Sequence, residues 1–589
     1  MTSQLVKKEK GLCFILIAYL ILASWYSVTI PLGEAPDEAP HYSLIRYVAR
    51  ERGYPTGEEE HEAFQPPLYY ALGALVTFWI DTDDFVIKAN SDFSFTDPEA
   101  PQNLLLHTSA ESFPYRGWAL AWHLVRWLSV IMGAVTVGAT YALAREIFPR
   151  DPSIALGSAA LNAFIPAYLF ISSVANNDSL ATMLSSLTLI LMVRLIKERE
   201  PLRSSLLLGL LLGLGVLTKM SLLAFIPTVL VVIVLLARRL GLRQGAKICG
   251  VLFIPFLLIA GPWFLRNQAL YGEPLGWTQV LRLNALRGGP LGKEEWLDFL
   301  LGLYRSFGLE WIGIELDTAI YALLALAAII SLGGLGVVIL KRREFEPPTP
   351  TLLSILGLHT LLVFLALLHW TTVVLGTGQA RLLYPALSPL LIFLFLGGRQ
   401  WLSRERGLTL ACGVGAGMLL LAVITPIRYI APLYAPPRTI TTSELEKIEH
   451  RTNLDFGDQI RLLGYELETK RLAPGETLSL SLYWQALKEI DQDYWLLIQI
   501  VDKGSETLLT KDGSPSAGRY ATDLWRKGEI IPSRHRLQLS LEVQPGLYRI
   551  KIGIHPFGVW EWLPIMDEEG KVVGEKVTLT QISILSRGK

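Results

Sequence analysis

Residues 204–237 read SSLLLGLLLGLGVLTKMSLLAFIPTVLVVIVLLA, and Lys219 is the one ionisable side chain among them. A helix needs about 20 apolar residues to cross a hydrocarbon core. The stretch is too long for one crossing and is broken at Lys219, so it reads as a helical hairpin with spans at 204–218 and 221–237. Similar runs lie on either side, at roughly 11–31, 118–146, 153–174, 179–196, 246–264, 319–340, 351–370, 382–398 and 407–427. The fold class is therefore a polytopic α-helical membrane protein with about eleven transmembrane helices. Composition agrees, since 51% hydrophobic and 18% charged residues over 589 positions are too apolar for a soluble protein of this size. Lys+Arg and Asp+Glu are equal at 53 each, so net charge selects no partner. Cys13, Cys249 and Cys412 fall inside apolar runs, which excludes a disulfide framework or a CxxC metal site in the loops.

Cationic residues in the short loops orient the chain. Arg145/Arg150, Lys197/Arg199/Arg203, Arg238/Arg239/Arg243/Lys247, Lys341/Arg342/Arg343 and Arg399/Arg404/Arg406 alternate with nearly uncharged span ends. They share a side with Lys7, Lys8 and Lys10, which is expected to be cytoplasmic. The run after those lysines is long for a signal peptide, and Ile30-Pro31-Leu32-Gly33-Glu34 is no small-x-small cleavage site, so a retained first helix is expected. Two long outer segments follow, 32–117 and 265–318. Within the first, 37–52 reads as an amphipathic helix, and 66–80 as an apolar run suited to lying at the interface or re-entering.

From about residue 445 the pattern changes to period two, as in Leu478-Ser479-Leu480-Ser481-Leu482-Tyr483-Trp484. Pro474-Gly475, Asp512-Gly513 and Pro545-Gly546 punctuate it. An all-β sandwich over 445–589 is expected, outside the membrane, beside a transmembrane domain over 1–430 that includes both outer segments. Trp484, Trp495, Trp525, Trp560 and Trp562 suit either core packing, the favoured reading, or a carbohydrate-stacking face.

Candidate chemistry gathers at the outer ends of the spans. Glu34-Ala-Pro-Asp37-Glu38-Ala-Pro-His41 follows the first span, and its prolines suit a helix start. Asp37 and His41, four apart, share a face. This group suits a general base or a divalent-cation site, or simply a capped interfacial helix. Asp178, in Asn176-Asn177-Asp178, stands at a comparable depth as a second acid or a plain N-cap. Lys219, Arg266 and Arg381 are the cations at that level, and together they suit a phosphate-bearing ligand. Asp81-Thr82-Asp83-Asp84 looks like a DxD but reads as a solvated turn. No Walker loop, HExxH, GxSxG or Rossmann glycine pattern occurs.

Taken in order, Asp37-Glu38, Gln65-Pro66-Pro67-Leu68-Tyr69-Tyr70, Arg126, Asn177-Asp178, Lys219, Arg266-Asn267…Leu270-Tyr271-Gly272 and Arg381…Tyr384-Pro385 carry a resemblance. Residues 10–430 resemble the GT-C superfamily of polytopic glycosyltransferases, near the protein O-mannosyltransferase and aminoarabinose-transferase branch. The resemblance implies a polyprenyl-phosphate-linked sugar donor at the outer face of a plasma membrane and transfer to an acceptor hydroxyl on protein, lipid or glycan, with inversion. It implies Asp37 as base and Asp178 as orienting acid. Glu38 and His41 would support Asp37 or hold a metal (Mg or Mn), and Lys219, Arg381 and Arg266 would meet the donor phosphate. Gln65, Tyr69, Asn177 and Tyr384 would line the pocket. The chain departs from the pattern by lacking a Trp-Trp-Asp-type motif and by carrying Glu60-His61-Glu62-Ala63-Phe64 where His-x-Pro-Pro is usual. The rival reading is a transporter or flippase of lipid-linked glycans, which would place its ionisable groups nearer the bilayer midplane.

Overall fold

The computed structural model describes residues 2–198 and 201–586 apart from 57–59, 61, 96, 98 and 99; the side chains of 2–9, 342 and 442 are likewise outside the description. His61 and Arg199, named above, lie outside the described residues. The chain divides into two compact units, Met1–Asp84 with Gly117–Pro432, and Phe85–Arg116 with Leu433–Lys589.

The first unit is helical. In chain order it comprises α1 (Thr2–Thr29), α2 (Glu38–Glu51), α3 (Leu68–Thr77), α4 (Gly117–Ile147), α5 (Pro152–Phe164), α6 (Pro166–Ser172), α7 (Asp178–Lys197), α8 (Leu202–Val216), α9 (Phe225–Leu240) and α10 (Leu242–Tyr271). Then come α11 (Trp277–Leu283), α12 (Lys293–Gly308), the hairpin β1 (Glu310–Trp311) and β2 (Ile314–Glu315), α13 (Thr318–Leu340), α14 (Thr349–Thr371), α15 (Leu387–Arg399) and α16 (Gly407–Thr425). Among the described residues nine helices are long and apolar enough to cross a membrane. The pair α5–α6, bent by 62°, makes a tenth. The bend falls at Ile165-Pro166, where proline removes an N–H and bars its predecessor from helical geometry. The expected eleventh span is α8, which has only 15 residues.

The hairpin at Lys219 is present. Asp151 caps α5 by accepting from Ser153 N–H at 3.1 Å, and its partner Arg399 closes α15. Arg194 and Lys197 pair with Glu146, Arg150 pairs with Glu346, and Arg239 donates to the Ile196 and Glu198 carbonyls. One end of the helical unit thus gathers the basic loops, and Asp178, Lys219 and Arg381 lie at the other ends of the same helices. Leu323, Leu326 and Ile329 of α13 are exposed, the pattern of a helix whose natural solvent is lipid rather than water.

The second unit is a β-sandwich. Its strands are β3 (His450–Phe456), β4 (Ile460–Leu467), β5 (Arg471–Leu472), β6 (Thr477–Ala486), β7 (Tyr494–Val501), β8 (Thr507–Gly513), β9 (Ile530–Gln538), β10 (Gly546–Pro556), β11 (Ile565–Met566), β12 (Val572–Gly574) and β13 (Val577–Ile584). They form sheets of order β5-β13-β10-β7-β8 and β12-β11-β3-β4-β6-β9. Alternate residues fill the core between them: Leu478, Leu480, Leu482 and Trp484 from one sheet, and Ile498, Ile500, Ile550, Ile552 and Ile554 from the other. The five tryptophans divide. Trp484 and Trp525 are core, whereas Trp560 is 66% exposed.

The outer segment 32–117 does not stay with the helical unit throughout. Residues 85–116 pack on the sandwich through polar side chains: Lys88 to Asp493 at 3.0 Å, Asp97 to Arg536 at 3.1 Å, Asn90 and Asn103 to the Gly518 carbonyl, and Asp92 to Lys511. Such pairings span hundreds of residues and leave no periodic trace. The Asp81–Asp84 run forms a turn, with Asp81 accepting from Asp83 N–H at 3.0 Å and Asp83 paired to Arg50 at 2.8 Å.

Candidate active site

The α1–α2 connection is built around one buried ion pair. Arg126 of α4 and Glu38 are both fully buried. Arg126 donates from Nε and Nη2 to Glu38 at 2.7 Å each. Its other N–H groups go to the carbonyls of Ser27 and Ile30 at 2.6 Å and Pro31 at 2.8 Å. A guanidinium has five donors, and all are spent. The Ser27 carbonyl is in the last turn of α1 and those of Ile30 and Pro31 follow it, so Arg126 also caps α1. Glu38 accepts three further bonds, from Trp122 Nε1 (3.0 Å), Ala175 N (2.9 Å) and Gly33 N (3.0 Å). It thereby ties the end of α1, α4 and the loop before α7 to the first turn of α2.

That clamp sets the neighbouring Asp37. The residue caps α2 with φ 58° and ψ 11°, in the left-handed region. Aspartate tolerates this region better than most residues, but it is held there only where the surroundings over-determine it. The Asp37 side chain is 52% exposed. Arg381, from the turn Ala380–Ala386 before α15, donates Nη2 to Asp37 Oδ2 at 2.6 Å and Nη1 to Asp178 Oδ2 at 3.3 Å. Lys219, at the break between α8 and α9, donates to Asp178 Oδ1 at 2.5 Å. Asp37, Arg381, Asp178 and Lys219 thus form one chain of alternating charge, in which Asp178 is buried and Asp37 is half-exposed.

Burial acts to raise the Asp37 carboxyl, but Arg381, with His41 and Lys219, outweighs it and brings it down to about 2 from an ordinary 3.8. His41 is lowered too, but by burial, which takes it below 6.5 against the pull of Glu62 and Asp37. Its Nδ1 lies 2.8 Å from the Tyr70 hydroxyl.

The structure assembles most of the expected residues. Gln65 Oε1 accepts from Asn177 Nδ2 at 3.2 Å, Tyr69 pairs with Ser129 at 3.0 Å, and buried Tyr384 packs its ring 5.7 Å from Tyr168. Arg266 stands apart from the charged chain. It donates to the Pro55 carbonyl at 2.6 Å and lies over the rings of Tyr54 and Trp263. Glu38, expected to support Asp37 or hold a metal, accepts five hydrogen bonds and is a clamp beside Asp37. A divalent cation does not fit this donor set. Asp37 and Asp178 are already neutralised by cations, Glu38 is saturated and His41 Nδ1 is engaged. Among the described residues no group of three His, Cys, Asp or Glu side chains is placed to hold a metal. Sequence reasoning passed over Tyr70, Gln379, which accepts from Arg381 Nε at 2.8 Å, and buried Glu62. The adjacency of Tyr70 to Tyr69 and of Gln379 to Arg381 was the available signal.

Residues 121–264 match the family model described as dolichyl-phosphate-mannose-protein mannosyltransferase. Over 199 residues the chain is 30% identical to the undecaprenyl phosphate-alpha-4-amino-4-deoxy-L-arabinose arabinosyl transferase of Pseudomonas aeruginosa (strain LESB58). That match spans 32% of this chain and 35% of that relative, about a third of each. ArnT from Cupriavidus metallidurans bound to undecaprenyl phosphate is 15% identical, with 72% of this chain and 73% of that one covered at a TM-score of 0.42. The Archaeoglobus fulgidus oligosaccharyltransferase is 14% identical, with 70% and 53% covered at 0.42. Overlays this loose carry no residue roles across.

Proposed function

We propose that this protein is a glycosyltransferase that moves a sugar from a polyprenyl-phosphate-linked donor to an acceptor hydroxyl at the outer face of the membrane, with inversion. The observation that carries this reading is the chain Asp37–Arg381–Asp178–Lys219, an accessible carboxylate next to two cations at the ends of apolar helices. The donor class is supported by the polyprenyl phosphates in the names of the matched family and relative. The donor's tail lies in lipid, and its phosphate meets Arg381 and Lys219. The apolar cleft of about 340 Å³ between α13, α14 and α15, lined by Leu390, Phe393 and Leu394, suits a hydrocarbon chain.

In the step itself, the acceptor oxygen forms a bond to the anomeric carbon while its proton passes to Asp37. The bond from that carbon to the phosphate oxygen breaks, and its electron pair stays on the departing polyprenyl phosphate, where Arg381 and Lys219 stabilise the charge. Arg381 couples the two halves. While it bridges the acids, Asp37 is a weak base. A donor phosphate that draws Arg381 away removes the largest influence lowering Asp37, and the base strengthens as the substrate arrives. Asp178 orients sugar or acceptor. No step runs through a metal. In this reading the end that carries the basic loops and the N-terminus face the cytoplasm and the β-sandwich lies outside, in keeping with the excess of Lys and Arg in cytoplasmic loops.

The test is transfer of radiolabelled sugar from a panel of polyprenyl-phosphate sugars in membranes, comparing wild type with Asp37→Asn at matched expression. A fall of about 10²–10⁴-fold is expected for loss of a general base. Unchanged transfer removes Asp37 from the role. Translocation of lipid-linked glycan without transfer replaces the enzyme with the transporter.

A further inference from the structure

The β-sandwich carries a built aromatic surface that sugar transfer does not use. Ile550, Ile552 and Ile554 of β10 point into the core, so Gly553 and His555 point out of the other face of the five-stranded sheet. His555 Nδ1 faces the carbonyls of Pro556 (2.9 Å) and Val559 (3.1 Å), and Nε2 faces the Asp512 carboxylate at 3.0 Å. Both nitrogens face acceptors, and the ring is fixed in place. Trp560 lies flat on it, with centroids 4.8 Å apart and planes inclined by 23°. Trp562 meets the same imidazole at 4.9 Å and Trp560 at 5.9 Å. Gly553 makes room for this: a Cβ there would stand 3.1 Å from Trp562 Cε3. Lys576 sits 4.3 Å over the Trp562 ring and donates to Gln499 at 3.3 Å. Glu561, between the tryptophans, is exposed.

An exposed tryptophan held at a fixed tilt by an imidazole stacked beneath it, with hydrogen-bonding side chains at its rim, is matched to a ligand with an apolar C–H face and a hydroxylated edge. A pyranose ring has both. We propose that Trp560 and Trp562, seated on His555, form a carbohydrate-binding platform on the sandwich, with Glu561 and Lys576 available to the sugar hydroxyls. A bilayer is the poorer partner, because sinking Trp560 into lipid would also draw the flanking Glu561 and Lys576 out of water. The inference rests on the sandwich alone and stands whether or not the helical unit transfers sugar.

The experiment is binding of the full-length protein in lipid nanodiscs to an array of neutral and acidic oligosaccharides, for wild type, W560A, W560F and W562A. Wild type is expected to bind at least one glycan, with affinity down at least tenfold in W560A and largely kept in W560F, whose ring still stacks. Absence of wild-type binding, equal binding by W560A, or equal loss in W560F and W560A would each overturn the proposal. So would quenching of Trp560 fluorescence by brominated lipid in place of glycan binding, which would make the surface a membrane contact.

Discussion

Replacing Glu38 by alanine tests whether this residue is a clamp or a reacting group. The side chain and its partner Arg126 have no exposed surface, and Glu38 accepts from Arg126 twice and from Trp122, Ala175 and Gly33. Truncation leaves a buried guanidinium with three carbonyls and no counter-charge. Removing one partner of a buried ion pair costs about 3–5 kcal/mol. The retained carbonyl bonds place the expected loss near the lower end, about 3 kcal/mol. Arg126→Met leaves a buried carboxylate instead, with a loss of similar size. Because each single change strands the other charge, Glu38→Ala with Arg126→Met together should cost less than the sum, with a coupling of about 2 kcal/mol or more. The assay is reversible unfolding in mixed detergent for wild type, both single variants and the double. If Glu38→Ala unfolds within about 1 kcal/mol of wild type, the clamp reasoning is wrong, since surface-like substitutions fall in that range. If that stable variant has also lost transfer, Glu38 belongs with the reacting groups.

Two predictions concern pH. The folded Asp37 carboxyl is depressed to about 2, so its ionised form, and the stability it adds, is fully present above the ordinary 3.8 and is lost as pH falls toward 2. For transfer, kcat/KM should show no acid limb from Asp37 above pH about 4, and Arg381→Met should move that limb upward because burial then acts with less opposition; an unmoved limb would refute the assignment. For His555, burial pulls the imidazole down, but the hydrogen bond to Asp512 and the Pro556 and Val559 carbonyls raise it overall above 6.5. Its stabilisation is therefore complete below pH 6.5 and is lost as pH rises through the folded value, so the melting temperature of the sandwich should drop on that side, and Asp512→Asn should remove the drop.

Membrane class and the sandwich are legible without coordinates because both follow from local thermodynamics. A run such as 221–237 has only one favourable solvent, and alternation such as Leu478–Trp484 has only one regular way to bury its leucines. The same logic exposes Asp37, Asp178, Lys219 and Arg381, since charge at the end of an apolar helix is costly wherever it lacks a partner or a purpose. Pairing is another matter. Sequence offers Lys219, Arg266 and Arg381 as three equivalent cations, and only the packing of α8, α10 and the turn before α15 sends two of them to the acids and the third to Tyr54 and Pro55. Glu38 and Asp37 are neighbours in sequence, yet one is sealed against Arg126 and the other is half-exposed beside Arg381. Residues 85–116 join the sandwich through partners several hundred positions away. Hydrophobic transfer acts on each segment by itself and can be read along the chain. The partner of a charge depends on distances of a few ångströms between distant segments, and those exist only once the helices and sheets have packed.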